Sequence, residues 1–183
     1  MRVISGNQRG KSLVSPEHLP LRPTSNKVRA ALFNILRPKI REARFLDLFA
    51  GTGAIGINAL SEGASHVTFV EKNPSCLTAL IKNVEQVGFC DKVVIKKIAI
   101  ERFVQKSEEM YYSFVFMDPP YAYTIPQFLE VLYPLHRKTP SETVIFVEHT
   151  RDLDLEPLCE RIGFLFTCKH YSHTQLSILT KPC

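Results

Sequence analysis

The apolar positions of this 183-residue chain change their spacing several times, and each change predicts an element. Val28, Ala31, Leu32, Ile35 and Leu36 fall at helical spacing. They predict a helix that Thr24 or Ser25 can cap and that Pro38 must end. From Arg44 onward, short apolar runs near 44–49, 66–71, 92–98, 113–117 and 143–148 predict strands. Helical patterns fill the gaps near 54–62, 74–87, 100–107 and 125–138, and a fifth helix runs from Asp154 to a stop at Gly163. Strands alternating with helices imply a parallel sheet covered on both faces. The tail breaks this rhythm. Phe164 to Tyr171 and Gln175 to Thr180 are two strands joined by a short polar turn, so one strand must enter the sheet antiparallel.

The predicted fold is therefore α/β and Rossmann-like, a mostly parallel seven-stranded sheet with a C-terminal antiparallel hairpin. The first residues stand apart. Residues 2–14 read as a hairpin with Gly6 and Gly10 near its turn, and Pro16, Pro20 and Pro23 keep the next stretch extended. The expected organisation is an N-terminal hairpin and helix appendage over residues 1–40, joined to a body over residues 41–183. No internal repeat or low-complexity segment is visible.

Composition narrows the class. Hydrophobic content of 45% with 22% charged residues is that of a globular chain with a sizeable core. No apolar stretch approaches the roughly 18 residues that span a membrane, and no signal peptide is apparent. The five cysteines are scattered without a C-x-x-C. That pattern points to reduced thiols, a cytoplasmic location and no metal site. His170 and His173, three apart in a predicted strand, lack a second ligand pair.

Charge divides the chain unevenly. Residues 1–44 carry ten Lys/Arg against two acids, a net +8, and the rest carry thirteen against sixteen, a net −3. A basic segment joined to an acidic body suggests a polyanion-binding arm beside a catalytic domain. A solvated basic surface without a partner is the alternative. The candidate RNA contacts are Arg2, Arg9, Lys11, Arg22 and Arg29.

Two motifs carry chemistry. Asp118-Pro119-Pro120-Tyr121 follows the strand-like run Phe114–Met117. A carboxylate, two prolines and an aromatic ring form a rigid polar corner, because proline lacks an N–H and restricts the residue before it. Carbonyl and carboxylate acceptors beside a flat ring suit a planar base bearing an exocyclic amine. An ordinary strand-to-loop turn is the competing reading. The second motif runs from Asp47 through Phe49, Gly51, Thr52 and Gly53 to Gly56, with Glu71 ending the next strand. Taken literally, G-x-G-x-x-G with an acid twenty residues on is a dinucleotide fingerprint. Asp47 argues otherwise. A carboxylate there repels pyrophosphate but attracts the ammonium and sulfonium of S-adenosylmethionine, and Glu71 suits a ribose diol. A tight turn needing positive φ and close packing explains part of the glycine pattern in either case. Asp47, Glu71 and Asp118 end the first, second and fourth strands, so both motifs should face one cleft at the carboxyl edge of the sheet.

These motifs resemble those of S-adenosylmethionine-dependent amino-methyltransferases. The blocks Met1–Gly6 and Arg22–Ser25, running into Val28–Leu36, together with Asp47–Gly53, resemble the RsmD family across nearly the whole chain. That resemblance implies a methyltransferase acting on the exocyclic N2 of one guanine in 16S ribosomal RNA. Its partner would be ribosomal RNA or the small subunit, and a monomer is expected. By the same resemblance, Asp47, Phe49, Gly51, Gly53, Glu71 and the Ala99 backbone would bind the cofactor. Asp118 and the Pro119 carbonyl would accept from the guanine amine, Pro120 would stiffen the corner and Tyr121 would stack on the base. Two positions depart from the family pattern. Ile98 stands where an acid is usual, and Ser172 replaces a turn glycine. Rival readings are a DNA or other RNA amino-methyltransferase (adenine N6 or cytosine N4), a nicotinamide-dependent oxidoreductase, and a non-catalytic RNA-binding module.

Two further expectations concern variants. Gly53→Val should abolish cofactor binding without unfolding the sheet. Removing residues 1–20 should weaken RNA binding but leave cofactor binding largely intact.

Overall fold

A computed structural model describes residues 1–16 and 24–182. Helix α1 spans Asn26–Leu36, and Ser25 caps it by accepting from the Val28 N–H at 3.2 Å. Its buried face is Val28, Arg29, Leu32, Phe33 and Leu36. The expected stripe is thus rotated, with Phe33 and Arg29 inward while Ala31 and Ile35 are only half-buried. Both stripes fit a 3.6-residue period, and the bulkier Phe33 takes the core position because it buries more apolar area.

The body alternates as the patterning predicts. It runs β1 Arg44–Leu48, α2 Ala54–Ser61, β2 His66–Glu71, α3 Pro74–Val87 and β3 Val93–Lys97. Then follow α4 Ile100–Lys106, β4 Phe114–Met117, α5 Ile125–Lys138, β5 Val144–Thr150 and α6 Glu156–Ile162. The hairpin β6 Leu165–His170 and β7 Thr174–Thr180 closes the chain. The strands form one seven-stranded sheet in the order β3-β2-β1-β4-β5-β7-β6. Only the β7 pairings are antiparallel among these strands. Strand order reverses between β1 and β4, which places the crevice at their carboxyl ends.

Period-2 alternation sorts the strand residues onto two cores. Phe45, Val67, Phe69, Phe114, Phe116 and Phe146 point to the side packed with α1, α2 and α3. Leu46, Leu48, Val70, Val115, Met117, Ile145 and Val147 point to the side packed with α4, α5 and α6. The edge strand β3 exposes Lys96 and Lys97, charges that discourage pairing with another chain.

The hairpin turn holds without the glycine. Tyr171 N–H donates to the Thr174 carbonyl at 2.8 Å, and only Glu42 and Phe49 have positive φ among the described non-glycine residues. Ser172 therefore needs no left-handed backbone.

The first sixteen residues are anchored rather than loose. Arg2 pairs with Ser12, and Val3 N–H donates to Lys11 O at 3.0 Å, as a hairpin requires. Val3 and Leu13 are buried in the same core as α1 and β1. Ile4 N–H donates to Asn58 Oδ1 at 2.8 Å, and Ser61 Oγ donates to Ser5 O at 2.6 Å. Gly6, at φ +79°, lies so close to α2 that a Cβ there would meet the Ser61 carbonyl oxygen at 2.0 Å. Asn83 of α3, fully buried, accepts from Val14 N–H at 2.6 Å and donates to Val14 O at 3.0 Å and Thr52 O at 2.9 Å. One side chain thus ties the arm to the glycine loop. Truncating the arm would strip two core side chains and orphan several buried polar groups at about 1–3 kcal/mol each. On that ground removal of residues 1–20 is expected to cost stability as well as RNA binding.

Candidate active site

The loop after β1 turns sharply because three residues in five adopt left-handed backbone: Phe49 at φ +58°, Gly51 at +54° and Gly53 at +79°. The glycines have different tasks. A Cβ on Gly51 would have only the Phe49 carbonyl oxygen near it, at 4.0 Å, so that position opens on the cleft. A Cβ on Gly53 would lie 2.2 Å from Leu80 Cδ1, inside the core. On Gly56 it would lie 2.3 Å from Phe69 Cε1, so this glycine lets α2 pack on β2. Gly53→Val is therefore expected to damage folding, and the prediction of an intact sheet is corrected.

Glu71 is held where it ends β2. Its Oε2 accepts from Gly51 N–H, and its Oε1 accepts from Lys72 and Asn73 N–H, all at 2.8 Å. Asn73 in turn caps α3 through Ser75 and Cys76 N–H. The carboxylate is thereby fixed against the glycine loop.

Asp47 is 2% exposed, and its Oδ2 accepts from Gly56 N–H at 2.9 Å. Burial pushes this carboxyl well above the usual carboxylate range. The Gly56 bond partly offsets that shift, while Asp118 and Glu71 push it further up. A carboxyl raised on folding stabilises the fold below its unfolded pKa and loses that contribution as pH rises through the folded value. Asp47→Asn keeps an oxygen for Gly56 N–H and removes the buried charge. Its melting midpoint should exceed the wild-type value at pH 8, by roughly 2–4 °C per kcal/mol, and the gap should close near pH 4. Thermal melts across that range check it, and a gap that widens toward acid would refute the assigned direction.

Asp118 follows β4. Its Oδ2 accepts from the Thr24 hydroxyl at 2.9 Å, across 94 residues of sequence. Pro119 is buried, and Pro120 O accepts from Tyr123 N–H at 2.8 Å to close the corner. The ring of Tyr121 is 53% exposed. Tyr123 is buried, donates to Glu101 Oε1 at 2.6 Å and meets the Phe49 ring edge-to-face at 5.2 Å. Burial, then Glu101, pushes its hydroxyl pKa far up.

These groups share one cleft of about 920 Å³. Asp47, Phe49, Gly51, Glu71, Glu101, Asp118, Pro119, Pro120, Tyr121 and Glu148 are on its walls, with Thr24, Lys27 and Arg29 on the α1 side. The structure thus brings the glycine loop and the Asp118–Tyr121 corner together. Gly53 and Ala99 are not on the walls, and Ile100 and Glu101 stand there instead of Ala99. Ile98 packs against the core beside α4 and α5. Among the basic candidates, Arg2, Arg9 and Lys11 are exposed. Arg22 lies outside the described residues. Arg29 is corrected as an outward-facing contact: it is 2% exposed, and its guanidinium donates to Arg2 O and Asn26 Oδ1. Among the described residues no cluster of three His, Cys, Asp or Glu side chains could hold a metal ion.

Sequence reasoning missed Thr24 as a partner of Asp118, Asn83 as a hub, and the Tyr123–Glu101 pair. One signal was available for the first. Thr24 and Ser25 are both capping residues, and one helix needs only one of them.

The chain is 32% identical to "Putative rRNA methyltransferase YlbH" of Bacillus subtilis, over 99% of each chain. It is 39% identical to "Ribosomal RNA small subunit methyltransferase D" of Escherichia coli K12, over 66% of this chain and 60% of that one. The solved structure "Putative methyltransferase yhhF from Escherichia coli" superposes with a TM-score of 0.85 at 28% identity, over 99% of this chain and 97% of that one. The fold is thus the Rossmann-like fold of the methyltransferases. The family model described as Conserved hypothetical protein 95 matches residues 1–180, so the chain belongs to that family, the RsmD-type family its motifs resemble.

Proposed function

We propose that this chain transfers a methyl group from S-adenosylmethionine to the exocyclic N2 amine of a guanine in 16S ribosomal RNA. The observation that carries the reading is the meeting, in one cleft, of the Gly51–Glu71 wall with the Asp118–Tyr121 corner. The names of the relatives supply the substrate class.

The residues present fit the cofactor. Gly51 leaves room where a side chain would intrude. Glu71, Glu101, Asp118 and Glu148 outnumber Lys27, Arg29 and Lys72 on the cleft walls, a balance that favours a cation over the pyrophosphate of a nicotinamide dinucleotide. Asp47, Phe49, Gly51 and Glu71 would hold the cofactor, with Glu71 facing its ribose hydroxyls. Bound S-adenosylmethionine supplies a sulfonium methyl, an electrophile that needs no metal.

The chain's own residues do the rest. The guanine amine is a weak nucleophile because its lone pair is delocalised into the ring. Asp118 and the Pro119 carbonyl accept from its two N–H bonds and direct the lone pair outward. Tyr121 offers an exposed face on which a base drawn from its stack can rest. The prolines fix these acceptors before the base arrives, so positioning supplies much of the rate. Asp118 need not be a strong base, because the methylated amine is acidic once charged. A cytoplasmic location follows from a ribosomal substrate.

The test is direct. Purified protein, labelled S-adenosylmethionine and 16S RNA or small subunits from a strain lacking the gene should yield one methylated guanine by mass mapping, with the methyl on N2. Methylation of adenine N6 or cytosine N4 would support the rival amino-methyltransferase reading, and absence of transfer to either form of RNA would end both.

RNA is proposed to bind along the N-terminal hairpin. Because truncation breaks the core, the charges must be removed by side-chain substitution. The variant Arg2→Gln, Arg9→Gln, Lys11→Gln should keep cofactor affinity and lose RNA affinity. Its slope of log affinity against log salt should fall by about 2, as expected for three phosphate contacts to single-stranded RNA. An unchanged slope would place the RNA elsewhere.

A further inference from the structure

We propose that Thr24 is a positioning residue for methyl transfer, fixing the carboxylate of Asp118 through its hydroxyl. The inference rests on the function proposed above and assigns a role to a residue that the helix-capping reading of Thr24-Ser25 leaves unused.

The two adjacent hydroxyls have divided their work. Ser25 Oγ accepts from Val28 N–H and caps α1. Thr24 is thereby released from the helix end, and its Oγ1 donates to Asp118 Oδ2 at 2.9 Å. Both residues line the cleft. The bond joins the start of α1 to the end of β4, two elements far apart in sequence.

The chemistry of the contact explains its use. The terminal torsion of an aspartate is broad and two-fold, so the carboxylate plane is not set by rotamer preference alone. An acceptor that must meet an N–H bond cannot be allowed to swing. A hydroxyl bond to one oxygen sets that plane before substrate arrives. Thr24 is suited to hold the plane, because its own χ1 is restricted by β-branching. A hydrogen bond to a charged group is stronger than one between neutral groups, enough to hold one orientation. Thr24 is not required to touch the base, and it donates where Asp118 accepts, so it does not compete for the amine's hydrogens.

The experiment uses the full-length protein with 16S RNA or small subunits as acceptor, whichever is methylated. Single-turnover rate, S-adenosylmethionine affinity and RNA affinity are measured for Thr24→Val, Thr24→Ser and Asp118→Ala. Thr24→Val is isosteric and keeps the β-branch, so folding is preserved. Its transfer rate should fall roughly 10- to 100-fold, the equivalent of about 1.4–2.7 kcal/mol, with both affinities within about twofold of wild type. Thr24→Ser, which keeps the hydroxyl, should recover to within about threefold. A merely structural threonine would lower affinity or stability and would not be rescued by serine through the rate alone. If Thr24→Val transfers at the wild-type rate while Asp118→Ala is impaired, the positioning role is wrong and the functional reading stands. If Asp118→Ala also transfers at the wild-type rate, the positioning role falls together with the role of Asp118 while methyl transfer itself stands; only a wild-type protein that methylates neither form of RNA ends the functional reading.

Discussion

Asp118→Ala should lower the rate of methyl transfer by at least on the order of 10²-fold while leaving S-adenosylmethionine affinity close to wild type. Asp118 ends β4 at the corner, whereas the glycine loop and Glu71 belong to the ends of β1 and β2. The acceptor that orients the amine is thus on a different strand from the groups assigned to the cofactor. Removing it costs orientation of the nucleophile, not retention of the methyl donor. Tyr121→Ala should act on the same half of the cleft by a different route. Base–aromatic stacking contributes about 1–3 kcal/mol, so its loss should appear mainly in kcat/KM for RNA, and Tyr121→Phe should restore most of it. With 53% of Tyr121 exposed, neither change should disturb the core. Calorimetry and single-turnover transfer on the same protein separate the effects. Wild-type transfer by a folded Asp118→Ala protein would remove Asp118 from the mechanism.

Gly51→Val should abolish cofactor binding in a protein that still folds, by more than about 10²-fold in affinity. Its side chain would project into open space on the cleft wall. The left-handed backbone at φ +54° adds a strain of about 1–2 kcal/mol for a residue with a Cβ. That strain lowers stability modestly and cannot account for complete loss of binding. Gly53→Val makes the contrast. Its Cβ would lie 2.2 Å from Leu80 Cδ1, so overpacking should cost about 1–3 kcal/mol of stability. Urea unfolding and calorimetry on the pair should therefore diverge. If Gly51→Val binds S-adenosylmethionine normally, the cofactor does not run along this loop.

The order of elements was readable because each one has a strong local signature. Short apolar runs gave the strands, and Thr24-Ser25 and Gly163 gave helix ends whose chemistry is local. What could not be read is where side chains point once the chain closes. Gly51 and Gly53 are two residues apart in one motif, yet one faces the cleft and the other Leu80. Spacing holds no information on that. Arg29 was counted with the surface cations because its charge is visible and its burial is not. Val3 and Leu13 are buried, but with Met1, Ile4 and Val14 they fit no period that would announce the arm as part of the core. The bond from Thr24 to Asp118 spans 94 residues, beyond the reach of any local pattern. The meeting of Asp47, Glu71 and Asp118 was readable, because a parallel sheet brings all its strand ends to one edge.

Asn83 grips Val14 across 69 residues of sequence. During synthesis at about 5–20 residues per second, the hairpin emerges first and then waits roughly 3–14 seconds for its partner on α3. Its composition suits the wait, since residues 1–16 are mostly polar and contain few surfaces that would aggregate. The same side chain also holds the Thr52 carbonyl, so the hairpin and the glycine loop draw on one support. A nascent protein would thus settle both contacts only once α3 has been made.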